Sequence, residues 1–185
     1  MFIETETTPN PATLKFLPGR TVMEQGTANF TDADAATRSP LATRLFALDG
    51  VTGVFFGGDF VSVSKDDGVS WAQLKPAALG AIMEHFTSGQ ALLTRAEAPM
   101  PDAEAGDEED SEVVAQIKEL LETRVRPAVA QDGGDIVFEA YADGVVFLQM
   151  HGSCSGCPSS TATLKAGIEN MLRHYIPEVV EVRAV

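Results

Sequence analysis

Two cysteines, Cys154 and Cys157, stand in the run Gly152-Ser153-Cys154-Ser155-Gly156-Cys157-Pro158, and the 185-residue chain has no others. Thiolates spaced C-x-x-C can face one metal centre together, and the small residues around them let the backbone come close, with N–H groups directed at sulfur. Two thiolates are half of a four-ligand site. The same pair could serve other chemistry. A dithiol oxidoreductase also places C-x-x-C at a helix amino end, although here no Trp precedes Cys154 and the surrounding segment has few strands. A zinc site could be assembled from Cys154, Cys157, His151 and His174, or from the four cysteines of a dimer. A cysteine-nucleophile enzyme would need a positioned base and an orienting partner, and no such constellation is readable, so no catalytic residue is assigned.

The elements that must position the pair read in the order αββαβ. Ser111 can cap a helix bearing Val113, Val114, Ile117, Leu120, Leu121 and Val125, which Pro127 and then Asp132-Gly133-Gly134 end. Asp135–Tyr141 and Val145–Met150 have strand composition and are joined by Asp143-Gly144, a tight-turn dipeptide. Ser159-Ser160-Thr161 starts a helix through Leu164, Ile168, Met171, Leu172 and Tyr175, stopped by Pro177. Residues 178–185 alternate as a last, half-exposed strand. The cysteine loop therefore lies between the second strand and the second helix. There, free amide groups and the helix dipole should favour thiolate over thiol, in a loop that faces outward and adds little to the core.

Upstream, Phe2–Thr5 and Leu14–Leu17 read as strands of a hairpin separated by Thr8-Pro9-Asn10-Pro11. Ser39 and Pro40 are N-cap and first position of a helix through Leu41, Leu45 and Leu48, ended by Asp49-Gly50. A second hairpin follows, with Val54–Phe56 and Phe60–Val63 flanking Gly57-Gly58-Asp59, which suits a tight turn with positive φ. Trp71, Leu74, Ala78, Ala81, Ile82 and His85, three and four apart, give a second helix with one apolar face. His85 should border the core.

Charge separates the two halves. The formal net charge is −14, yet residues 1–96 carry 7 basic and 10 acidic groups, residues 113–185 carry 6 and 9, and residues 97–112 carry 8 acidic groups and no basic one. That short stretch, rich in Pro, Gly and small residues, reads as an extended linker, with an acidic docking tail as the alternative. The expected organisation is α+β: two small α/β-sandwich-like domains, 1–96 and 113–185, joined by a flexible acidic linker, 97–112. The first has an interaction or structural role.

The absence of a basic patch argues against nucleic acid, and no apolar run has the length of a membrane span. The opening Met1-Phe2-Ile3-Glu4-Thr5-Glu6 lacks a basic n-region or an Arg-rich amphipathic presequence, from which a soluble, cytoplasmic, bacterial protein is expected. In that reducing setting a close cysteine pair serves metal or redox chemistry rather than a structural disulfide.

The runs Asp132-Gly133-Gly134-Asp135 and Gly152–Ser160, ahead of an amphipathic helix, resemble the carboxyl-terminal domain of NifU shared by Nfu-type iron–sulfur carriers. The resemblance covers about residues 113–183. The amino half, with Thr8-Pro9-Asn10-Pro11 and Gly57-Gly58-Asp59-Phe60, is similar to the amino-terminal domain of Nfu proteins. The resemblance implies an assembly and carrier protein rather than an enzyme. Cys154 and Cys157 would bind a [4Fe-4S] cluster shared between two subunits, with a [2Fe-2S] cluster as the lesser alternative. It also implies a homodimer, an upstream assembly scaffold as donor and apo-enzymes as recipients. Ligand counting agrees, since two chains supply the four thiolates of a cubane. The chain lacks the separate scaffold domain and additional cysteines of full-length NifU.

Overall fold

The computed structural model describes residues 2–94, 108–155 and 158–185. Cys157 and the expected linker up to residue 107 lie outside the described residues. The chain divides into two compact units, Met1–Pro99 and Met100–Val185.

The first unit is built on an antiparallel five-stranded sheet ordered β1-β2-β5-β4-β3. Its strands are β1 (Glu4–Thr7), β2 (Thr13–Leu17), β3 (Ala28–Phe30), β4 (Val51–Phe56) and β5 (Val61–Lys65). The first hairpin forms, its first strand starting two residues later than the expected Phe2–Thr5, and Asn10 closes its turn by accepting the Ala12 amide on its side chain and the Thr13 amide on its carbonyl. Helices α1 (Ala33–Ala36), α2 (Pro40–Phe46) and α3 (Trp71–Ser88) complete the unit. Ser39 caps α2 by accepting from the Ala42 amide, with Pro40 at the first position, as the sequence implies.

Leu74, Ala78, Ile82 and His85 line the buried side of α3. Phe16, Phe30, Phe56, Leu41, Leu45 and Ile82 are wholly buried, each contributing about 1.5–3 kcal/mol of apolar burial. Two details depart from expectation. Neither Gly57 nor Gly58 has positive φ. Gly57 is needed for space, because a Cβ there would lie 2.3 Å from the Phe60 ring. His85 does not border the core but lies within it, 1% exposed.

In the second unit, α4 (Glu108–Leu120) runs through a π-helical turn (Leu121–Val125) into α5 (Arg126–Gln131). The strands β6 (Gly134–Ala142) and β7 (Val145–Gly152) form the expected hairpin, α6 (Pro158–Tyr175) crosses over, and β8 (Glu181–Ala184) pairs parallel to β7. The order β6-β7-β8 makes β7 central. Asp143 (φ 50°) and Gly144 (φ 79°) supply the two left-handed residues that a type I′ hairpin requires. Ile117, Leu121, Val125, Val129, Ile168 and Leu172 pack from the helices onto Ile136, Val146, Leu148 and Val182 of the sheet. The fold is thus α+β with an αββαβ second unit.

Three sequence expectations need correcting here. Ser111 lies inside α4, which begins at Glu108, so it is not an N-cap and the last residues of the expected linker are helical. Pro127 does not end the helix. Proline has no amide to donate, and the chain accommodates it just after a π-turn in which the Arg126 amide reaches back five residues to the Leu121 carbonyl. The helix therefore continues until Asp132 and Gly133, whose φ of 78° breaks it. On α6, Tyr175 is 47% exposed rather than part of the apolar face, and Ile176 just beyond the helix is buried instead.

Candidate metal-binding site

Cys154 sits on the short connection from β7 to α6, and its surroundings explain the small residues nearby. Gly152 (φ 63°) turns the chain out of β7. Ser155 then folds back onto Gly152, its hydroxyl and amide both donating to the Gly152 carbonyl (2.9 and 3.2 Å). Thr161, in the first turns of α6, donates its hydroxyl to the Cys154 carbonyl at 3.0 Å. Ser153 faces the other way: its amide donates to the Gly133 carbonyl (3.2 Å) and its hydroxyl to the Asp132 carbonyl. The loop is held from both sides.

The glycine pair at the start of β6 has a role that sequence reasoning did not assign. A Cβ on Gly134 would stand 2.4 Å from the Cys154 sulfur and 2.9 Å from the His151 carbonyl. Only glycine leaves room for the thiol. Gly134 thereby seats a soft sulfur donor at the end of the sheet, and this cradle is the feature that fits a thiolate-bound metal or cluster.

Cys154 does not face outward. It is 6% exposed and belongs to the hydrophobic cluster of the unit. Burial pushes its thiol up to about 12, the neighbouring Ser153 side chain works the other way, and the carboxylates of Asp132 and Asp135 add to the rise. The expected stabilisation of thiolate by the helix end is outweighed for this cysteine, because desolvation penalises the anion first. A soft metal ion must displace the proton to bind there.

Asp135, next to the cradle, is 3% exposed and carries a bidentate pair with Arg126: Nε to Oδ1 at 2.8 Å and Nη2 to Oδ2 at 2.9 Å. Oδ1 also accepts the Ile136 amide at 2.8 Å. The guanidinium reaches Glu122 as well, and its pKa is raised, foremost by the bond to Asp135. Asp135 lies within a motif visible in the sequence. Its partner nine residues upstream does not, since no period or spacing links them.

His151 and His174, the histidines weighed for zinc, make other contacts. His151 Nε2 lies 3.3 Å from Gln149 Oε1, and burial lowers its pKa, with Asp135 opposing and Arg126 reinforcing. The His174 ring packs edge-on against Tyr175, with centroids 5.1 Å apart. Among the described residues no three His, Cys, Asp or Glu side chains gather as a metal site. Cys157 lies outside the described residues.

A two-unit α+β chain with a cradled thiol at a strand-to-helix connection defines a structural class. Comparison with known proteins narrows the class. Residues 3–89 match the family described as "Scaffold protein Nfu/NifU N terminal", and residues 117–183 match the "NifU-like domain". The chain is 53% identical to the human "NFU1 iron-sulfur cluster scaffold homolog, mitochondrial", all of this chain aligning with 72% of that protein. It is 54% identical to "NifU-like protein 4, mitochondrial" of Arabidopsis thaliana, over 97% of this chain and 64% of that one. The solution structure of a NifU-like protein from Saccharomyces cerevisiae superposes with a TM-score of 0.42 at 28% identity, covering 51% of this chain and 85% of that one. The chain belongs to the Nfu/NifU family. It spans about two thirds of the length of these relatives.

The same names correct one expectation. The opening residues suggest a bacterial, cytoplasmic protein, an expectation contradicted by the relatives reported above, which are named mitochondrial. An opening without a presequence pattern was weak ground for a compartment. Among the described residues no helix is long and apolar enough to cross a membrane.

Proposed function

We propose that this chain carries an iron–sulfur cluster as cargo, holding it between two copies through Cys154 and Cys157 of each and passing it to apo-proteins. The domain assignment that goes with this reading is a cluster-binding unit at 113–185, an interaction or structural unit at 1–96 and an acidic connector at 97–112. The observation that carries the reading is the cradle: Gly134 gives up its side chain where the Cys154 sulfur lies, three residues ahead of the second cysteine in sequence. Membership of a family whose relatives are named cluster scaffolds supports it.

The four thiolates of two chains suit a cluster that bridges them, and the cargo we propose is [4Fe-4S]. A site divided between subunits also suits a carrier rather than an enzyme. Ligands can be exchanged one chain at a time, as recipient thiolates replace those of a departing copy. An upstream assembly protein is the donor in this scheme and apo-enzymes are the recipients.

Anaerobic reconstitution with iron and sulfide tests the reading. The loaded protein should be brown, absorb broadly near roughly 400 nm, and hold about four iron and four sulfide per two chains. A protein that stays colourless, or takes up zinc in preference, would overturn it.

A further inference from the structure

Among the described residues Asp135 is the one buried carboxylate, and its partner Arg126 reaches it from a helix that should have ended. A buried ion pair is weak support for stability, since well-packed apolar residues do as well in its place. Its location is more telling. From Arg126 the contacts run without a gap to the thiol: the guanidinium grips Asp135, and Asp135 holds the Ile136 amide at the start of β6. Gly134 abuts the Cys154 sulfur, while the carbonyls of Gly133 and Asp132 take the amide and hydroxyl of Ser153. The π-turn, a rare element frequent at functional sites, is the element from which Arg126 emerges.

We propose that Arg126 and Asp135 are positioning residues, whose ion pair fixes Gly133-Gly134 against the cysteine loop and so sets how firmly Cys154 holds cargo. The loop-fixing part stands on the geometry alone. The part concerning cargo rests on the carrier reading above.

The test uses the full chain with Arg126→Gln, Asp135→Asn, the double variant, and Arg183→Gln as a control in an exposed pair on β8. Amide hydrogen exchange in the cargo-free protein compares Ser153, bonded to Gly133, with Ile176, bonded to Leu172 in the core. Each single variant should speed Ser153 exchange about tenfold while Ile176 changes by less than about twofold, and the double variant should add little, because the two residues act as one unit. Arg126→Lys keeps the charge but loses the fork, so it should fall between wild type and Arg126→Gln. In reconstituted protein, the single variants should lose iron to a chelator about tenfold faster than wild type.

Parallel change at Ser153 and Ile176 would show a merely structural pair and overturn the proposal, as would no change at either. Faster exchange with unaltered iron loss would overturn the part concerning cargo. If wild type takes up no iron and sulfide, the carrier reading falls, while the exchange data still decide whether the pair fixes the loop.

Discussion

Each unit places a glycine where a Cβ would collide with a buried group, and the two sites differ in what fills the space. In the first unit Gly57 makes way for the Phe60 ring, which packs against Phe55 (centroids 5.9 Å apart) and under the Lys15 ammonium. That loop closes on itself, with the Gly57 amide donating to the Phe60 carbonyl at 2.9 Å and the Gly58 carbonyl accepting from Val22 and Met23. In the second unit Gly134 makes way for a thiol, and polar bonds and an ion pair hold the surroundings. One glycine completes a core. The other leaves a reactive atom in a defined place, and the chemistry of the admitted group separates the two roles.

The sharpest way to break this contrast is to remove the group itself. Cys154→Ala should abolish iron uptake completely on reconstitution, since one chain then offers a single thiol. It should also cost about 1 kcal/mol in urea unfolding, because Cys154 is part of the core. His151→Ala should retain cargo. Loss of metal in His151→Ala as complete as in Cys154→Ala would favour a mixed Cys/His site instead.

Replacing each glycine probes the same contrast at the next level. Gly134→Ala puts a methyl 2.4 Å from the sulfur and within 3.0 Å of two backbone atoms, so the loop itself must shift. We expect about 2–3 kcal/mol of destabilisation together with severe loss of iron retention. Gly57→Ala meets the ring of Phe60 first, and should cost about 1–2 kcal/mol with iron retention unchanged. Trp71, the sole tryptophan, reports unfolding of the first unit alone by fluorescence, and bound iron reports the second. Equal iron retention in the two variants would sink the distinction.

What was legible in the sequence follows the same line. The Asp143-Gly144 hairpin, the Ser39-Pro40 helix start and the apolar face of α3 are local signals, fixed by φ preferences, capping and a 3.6-residue period. The cysteine pair was readable from its spacing, and the glycines beside it from their run. Features set by tertiary contact were not. The three-residue edge strand β3 and the four-residue α1 are too short to show a period. Pro127 is a helix breaker by rule, but the π-turn absorbs it. Gly57 looked like a φ > 0 turn residue because sequence marks a glycine without saying whether backbone angle or space requires it. The Arg126–Asp135 pair and the burial of Cys154 depend on tertiary packing, which no local pattern encodes.

The smallest expected effect concerns the first unit alone, where a polar group lies in the core with no chemistry to serve. Both ring nitrogens of His85 are buried without a hydrogen-bond partner among the described residues. Burial first, and then the charge of Arg44, lower its pKa. The unfolded chain takes up a proton near the ordinary value of about 6.5, whereas the folded unit resists it. Stability from this group is therefore fully present above that pH and lost as pH falls below it, with a slope of at most about 1.4 kcal/mol per pH unit. Urea melts followed by Trp71 fluorescence should show first-unit stability falling between about pH 7.5 and about pH 5.5. His85→Leu, which has no proton to bind, should flatten that dependence. Identical slopes for wild type and His85→Leu would show that the buried imidazole is not the group responsible.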